Sequence, residues 1–173
     1  MNAPDTATAV RTMLVDDHAL LREGIRSLLD REAAISVVGE AGSYDAALAE
    51  VQRCRPDVVV VDLKLTAGTE YEGLRLITEI SGRHPGVATL VLTTFLDDDL
   101  VVRAVRAGAR GYVVKDVDTT ELVRAIQAVF GGGSAFDPRS AAIVLRSVSG
   151  DADSPEALTD REREVLRLSL IHI

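Results

Sequence analysis

Tryptophan is absent, and only three tyrosines and three phenylalanines stand among the 173 residues, so there are few faces on which bases could stack. The single cysteine, Cys54, excludes an intramolecular disulfide framework and fits a reducing, cytoplasmic setting. No apolar run approaches the roughly 18 residues that a membrane-spanning helix needs, and Met1–Arg11 does not read as a signal peptide, so no membrane partner is expected. Positive charge is short as well. Nineteen basic residues against 27 acidic ones give a net charge of −8 and a pI near 4.9, which argues against a grip on nucleic acid through bulk charge. Lysine is scarcer still: Lys64 and Lys115 are the only two, every other basic residue being arginine, so a lysine at a particular place is informative.

What is present is an ordinary mixture, 47% hydrophobic and 27% charged, long enough to bury one core. One domain of about 100–150 residues with an appendage is the natural expectation. Short apolar runs alternate with longer amphipathic stretches. The runs Thr12–Val15, Ile35–Ala41, Asp57–Val61, Ala88–Leu92 and Gly111–Val114 are nearly continuous in Val, Ile and Leu, as strands covered on both faces are. Between and after them lie helical faces: Leu21, Ile25, Leu28 and Leu29; Ala47, Leu48 and Val51; Leu74, Ile77 and Ile80; Leu100, Val101, Ala104 and Val105; Leu122, Val123, Ile126 and Val129. Ser43 and Asp118 stand where N-caps belong, and Gly108 where a helix should end.

This pattern predicts an α/β fold, a doubly wound, five-stranded parallel sheet of flavodoxin-like order 2-1-3-4-5 with right-handed crossovers. After Phe130 the texture changes. Gly131–Gly133 is a flexible break without the following Lys-Ser/Thr of a phosphate loop, and residues 131–157 read as a linker with a short helix near Pro138–Arg146. A new helix opens at Thr159, with Glu162 in capping-box spacing.

In an open parallel sheet, ligands bind beyond the carboxyl ends of the strands. The first predicted strand ends in Asp16-Asp17, the third in Asp62, the fourth in Thr93-Thr94 and the fifth in Lys115. Three carboxylates, a hydroxyl and an ammonium therefore converge on one edge. Clustered carboxylates repel unless a cation lies among them, and Mg²⁺ prefers such oxygens while keeping water and phosphate as its other ligands. A carboxylate can be the nucleophile that forms an aspartyl phosphate, with lysine and hydroxyl receiving the new phosphoryl oxygens. Each residue also has a plainer reading: the acidic pair as helix caps, Asp62 as a loop acid, Lys115 as a surface residue, Thr93 as a strand-end threonine. All of them at the proper strand ends is what points to phosphoryl chemistry.

The segments MLVDDHALLREGI, PDVVVVDL, LVLTTF and AGARGYVVKD resemble the receiver domain of bacterial two-component response regulators, over residues 11–130, and the NarL/FixJ subfamily in particular. That resemblance implies that Asp62 accepts a phosphoryl group from a sensor histidine kinase. It implies that Asp17 and Asp62 bind Mg²⁺, that Asp16 assists through water and that the backbone carbonyl of Lys64 completes the metal site. Thr93 and Lys115 would contact the phosphoryl group. Tyr112 would be the aromatic whose rotamer follows Thr93, passing the change to the face formed by Asp98–Phe130 and so to homodimerisation. One departure stands out. Thr66 occupies the place, four residues after Asp62, where the family usually has proline, and the acidic-glycine pair Glu72-Gly73 comes late, so that the loop Lys64–Gly73 is longer and carries extra carboxylates at Glu70 and Glu72.

The tail LTDREREVLRL, residues 158–168, resembles the opening of a LuxR-type helix-turn-helix domain, whose recognition helix would lie further on; DNA is therefore expected as a partner of the intact parent only. Residues 168–173, LSLIHI, read as the translation of a transposon mosaic end used in sequencing libraries, which removes His172 from consideration as a ligand. His18, in the first turn after the acidic pair, and His84, before Pro85, read as cap or surface residues, and Cys54 as a small packed one. The rival function is a Mg²⁺-dependent phosphatase with Asp62 as nucleophile, but the haloacid dehalogenase type wants a second acid where Lys64 stands. A stand-alone receiver acting by protein contacts is the other alternative, and flavin binding lacks its Ser/Thr-Gly-rich loop after the first strand.

Overall fold

The computed structural model describes residues 8–65, 71–94 and 96–150. Thr66, Glu70, the segment 158–168 and the terminal hexapeptide lie outside the described residues. Twelve elements follow in order: β1 (Val10–Val15), α1 (Ala19–Leu29), β2 (Ile35–Ala41), α2 (Tyr44–Cys54), β3 (Val58–Val61), α3 (Glu72–Arg83), β4 (Ala88–Thr93), α4 (Asp98–Ala107), β5 (Gly111–Val114), α5 (Thr119–Phe130), β6 (Ala135–Phe136) and α6 (Pro138–Gly150). All strand pairs are parallel, and the order is β2-β1-β3-β4-β5-β6.

The near-continuous apolar strands are read out on both faces. In β3, Val59 and Val61 enter one core with Met13, Val15, Val91 and Tyr112, under α2, α3 and α4. Val58 and Val60 enter the other with Leu14, Leu90, Leu92 and Val113, under α5 and part of α1. The period-two alternation of a strand thus distributes one valine run between two cores. Helix ends follow the expected chemistry. The Ser43 hydroxyl accepts from the Ala46 N–H (3.3 Å) and the Asp118 carboxylate from the Glu121 N–H (2.9 Å). Gly108 terminates α4 in the left-handed region at φ 114°. Arg55, with φ 45°, ends α2 in the same region, where a side chain is strained.

Two expectations need correcting. The sheet has six strands, not five: residues after the Gly131–Gly133 turn return to pair Ala135 with Gly111 and Phe136 with Tyr112. A two-residue strand is too short to leave a periodic signal, and it forms because β5 would otherwise be an uncovered edge. The helix expected near Pro138–Arg146 continues to Gly150 and lies against α4, with Ile143 and Val144 buried in the α3–α4 core. Helix α1 also differs from its sequence pattern: Leu29 is buried, while Leu21 and Leu28 are exposed and Leu20 is 86% exposed.

Candidate functional site

Register places the chemistry. Val15 of β1 lies beside Val61 of β3, so Asp16 and Asp62 leave adjacent strands at the same level. The Asp62 N–H donates to the Val15 carbonyl (2.9 Å) and the Asp16 N–H to the Ala41 carbonyl (3.1 Å). On the other side Thr93 pairs with Val114, and the Lys115 N–H donates to the Thr93 carbonyl (2.8 Å). Two central strands and their neighbours thereby deliver two carboxylates, a threonine and a lysine to one edge.

Lys115 closes the arrangement. Its Nζ donates to Asp16 Oδ2 at 2.7 Å and to Asp62 Oδ2 at 2.8 Å, bridging residues 99 and 53 positions away in the chain. Side chains of all three are about nine-tenths buried (11%, 7% and 7% exposed). Burial by itself would lower the lysine pKa, but the hydrogen bonds and charges of Asp16 and Asp62 outweigh it and hold the ammonium above its ordinary value.

The acidic loop is held from behind. The Asp16 Oδ1 accepts from the His18 N–H (2.8 Å), and Arg22 Nη1 donates to the Asp16 carbonyl while its Nε lies 3.3 Å from Glu40. Asp17 is exposed, and its Oδ1 is 2.9 Å from His18 Nδ1. The Lys64 N–H points to Asp62 Oδ1 at 3.4 Å. Among the described residues, Asp16, Asp17, His18 and Asp62 offer ligand atoms all within 4.8 Å of one another. Three carboxylates against one ammonium leave a local charge of −2, which a divalent cation matches, and the oxygen donors suit a hard ion. The donor set therefore fits Mg²⁺.

Tyr112 is brought near but not into this pocket. It is fully buried on the α3–α4 face, and burial first, then the negative charges of Asp97, Asp137 and Asp62, push its phenol well above the usual range. Thr93 is likewise fully buried. Gly73, noted in the sequence only as half of a late acidic-glycine pair, serves a packing purpose. Its N–H donates to the Leu63 carbonyl (2.9 Å), and a Cβ there would collide with the Asp62 carbonyl and the Leu63 Cα. The lengthened loop thus leaves the start of α3 seated against the acceptor segment. Arg22 left no signal in the sequence, because its partners, the Asp16 carbonyl and the Glu40 carboxylate, are brought to it only by the fold.

The family model for the response regulator receiver domain matches residues 12–127. The chain belongs to the response-regulator receiver family. The receiver is 41% identical over 162 residues to the DNA-binding transcriptional activator DevR/DosR of Mycobacterium tuberculosis, covering 92% of this chain and 73% of that one. It is 32% identical over 159 residues to the response regulator VraR of Staphylococcus aureus, at 92% and 75% coverage. Among solved structures it resembles a LuxR-family two-component response regulator from Aurantimonas sp. SI85-9A1, with TM-score 0.74, 34% identity, and coverage of 82% of this chain and 99% of that one. The receiver domain of NarL from Mycobacterium tuberculosis gives TM-score 0.66 at 30% identity, covering 72% and 98%. These likenesses make the receiver one of the NarL/FixJ type. No helix of its described residues is long and apolar enough to cross a membrane.

Proposed function

We propose that Asp62 is the phosphoacceptor, taking a phosphoryl group from the histidine of a cognate sensor kinase. The observation that supports this is the bridge of Lys115 to Asp62 and Asp16, which sets an ammonium beside two buried carboxylates; of the two, the likeness to receiver domains favours Asp62, at the end of β3, as the acceptor. An Asp62 oxygen attacks phosphorus, the bond to the donor histidine nitrogen breaks, and an aspartyl phosphate forms. Mg²⁺ held by Asp17, Asp62 and the Lys64 carbonyl, with Asp16 assisting through water, would supply positive charge to the transferring oxygens. Lys115 and the Thr93 hydroxyl receive the phosphoryl oxygens. The domain assists its own modification and is a switch rather than a turnover enzyme.

The new group brings up to about two negative charges and three strong acceptors. Thr93 and Tyr112 carry the change into the α3–α4 core, and Tyr112 is the residue of β5 whose backbone pairs with Phe136 of β6. The signal thereby reaches β6 and α6, the last two elements of the described residues. A shift between two conformers there changes homodimerisation and, in the intact parent, DNA binding.

The test is intact mass after incubation with acetyl phosphate and Mg²⁺, on the wild-type chain and on Asp62→Ala. One added phosphoryl group is expected, absent with EDTA and absent in the variant. A folded wild-type protein that gains nothing, or a variant that gains as much, would overturn the assignment.

A further inference from the structure

We propose that β6 and α6 form an autoinhibitory arm: seated on α4 it keeps a second copy of the chain off that face, and a phosphoryl group at Asp62 loosens the seat. The inference rests on Asp62 as the phosphoacceptor, and adds which element yields and what it uncovers. Gly131–Gly133 join the arm to α5. Their N–H groups donate to the carbonyls of Gln127 (3.0 Å), Val129 (3.2 Å) and Ala128 (3.0 Å), so the end of α5 is satisfied without the arm. Gly132, at φ 85°, supplies a pivot that other residues rarely adopt.

The seat rests on few side chains, and two buried polar atoms work against it. Ile143 and Val144 share a core with Leu100, Val101 and Ala104 of α4, and their burial holds the arm down. Ser140 is fully buried, yet its hydroxyl has no hydrogen-bond partner among the described residues. Asp137 accepts from the Ser140 N–H at Oδ1 (2.8 Å), while its Oδ2 is buried without a partner among them. Both atoms regain water when the arm lifts, so their desolvation opposes the seat. At the rim, Arg139 lies 3.5 Å from Asp116 and Arg146 3.6 Å from Asp98, exposed pairs that add little. A modest perturbation is therefore enough to tip the arm.

The arm is attached where such a perturbation arrives. Asp116 follows Lys115, whose Nζ is shared between Asp16 and Asp62, and Phe136 pairs with Tyr112 three residues before that lysine. A phosphoryl group on Asp62 takes up Lys115, and the turn that carries Lys115 and Asp116 shifts under the arm. The uncovered face suits a second copy. Helix α4 carries Asp98 and Asp99 in its first turn and Arg103 and Arg106 further on. Two such helices meeting antiparallel across a two-fold axis set the acids of each against the arginines of the other. With the arm seated, Arg146 takes the place beside Asp98 instead.

Hydrogen exchange of the full chain with Mg²⁺, with and without beryllofluoride as a non-covalent stand-in for the phosphoryl group, tests this. Ile143→Ala loosens the arm, and Ser140→Ala tightens it by removing the unpaired hydroxyl; thermal unfolding checks that both variants are folded. Amides of α6 are expected to exchange about fivefold faster or more with beryllofluoride, while those of α2 stay unchanged. Coupling is reciprocal, so Ile143→Ala should bind beryllofluoride more tightly than wild type and Ser140→Ala more weakly. In sedimentation without beryllofluoride, Ile143→Ala should dimerise at a lower protein concentration than wild type. Unchanged exchange of α6 in a chain that binds beryllofluoride overturns the proposal. So does a Ser140→Ala variant that binds it as tightly as wild type, or an Ile143→Ala variant that dimerises no more readily. A wild-type chain that takes up no beryllofluoride brings down the phosphoacceptor reading itself, which is a different failure.

Discussion

Lys115 holds two buried carboxylates at hydrogen-bond distance and Tyr112 keeps a phenol away from water, and both groups have their proton affinity raised by folding. The sign of the consequence is the same for each. A folded-state pKa above the unfolded one means that the native state keeps its proton longer, so the stabilisation is complete below the ordinary values of 10.0 for tyrosine and 10.5 for lysine. It is lost as pH rises through those values toward the raised ones. Urea unfolding from pH 8 to pH 11 should therefore show stability level at first and then falling. In Tyr112→Phe one of the two groups is gone, and the alkaline fall should become shallower by up to one proton's worth of slope, about 1.4 kcal/mol per pH unit. An unchanged slope in that variant would show that the buried phenol does not govern alkaline unfolding.

The helix ends decide how firmly the site is framed. Gly73, second residue of α3, touches the backbone of Asp62 and Leu63 so closely that no side chain fits. Alanine there would raise helix propensity by nearly 1 kcal/mol, but the collision is with backbone and cannot be relieved by a rotamer change. The clash prevails: Gly73→Ala should lose about 1–3 kcal/mol in denaturant melts and take up phosphoryl groups more slowly, because the acceptor loop must move. At the end of α2 the sign is opposite. Arg55 adopts φ 45° where glycine costs nothing, and its N–H already closes the helix onto the Val51 carbonyl. Arg55→Gly should raise the stability by up to about 1 kcal/mol, read as a higher urea midpoint with an unchanged slope.

Across the described residues, α6 packs onto α4. Ile143 and Val144 are buried with Leu100, Val101 and Ala104 of α4, and Arg146 lies 3.6 Å from Asp98. The face from α4 to β5 that the resemblance marks for output is thus covered in this conformation by β6 and α6 of the same chain. Removing the buried methyl groups with Ile143→Ala should cost about 2–5 kcal/mol by urea unfolding. A loss below about 0.5 kcal/mol would mean that α6 lies on the surface without contributing to the fold.

The order of elements was legible in the sequence because each signal is local: valine-rich runs for covered strands, 3.6-residue apolar spacing for helices, and Ser43, Asp118 and Gly108 for their ends. The site was legible to the extent that a parallel sheet sends every strand end to one edge, which brings Asp16, Asp62, Thr93 and Lys115 together once the strands are found. What the tertiary structure alone decided depends on residues far apart in the chain. The Lys115 bridge requires the relative register of the strands that carry Asp16, Asp62 and Lys115, and the crowding at Gly73 requires the seat of α3. The pairing of β6 and the docking of α6 were hidden for the same reason: two residues carry no periodicity, and what covers β5 and α4 is settled by which surfaces remain apolar after the other five strands have closed.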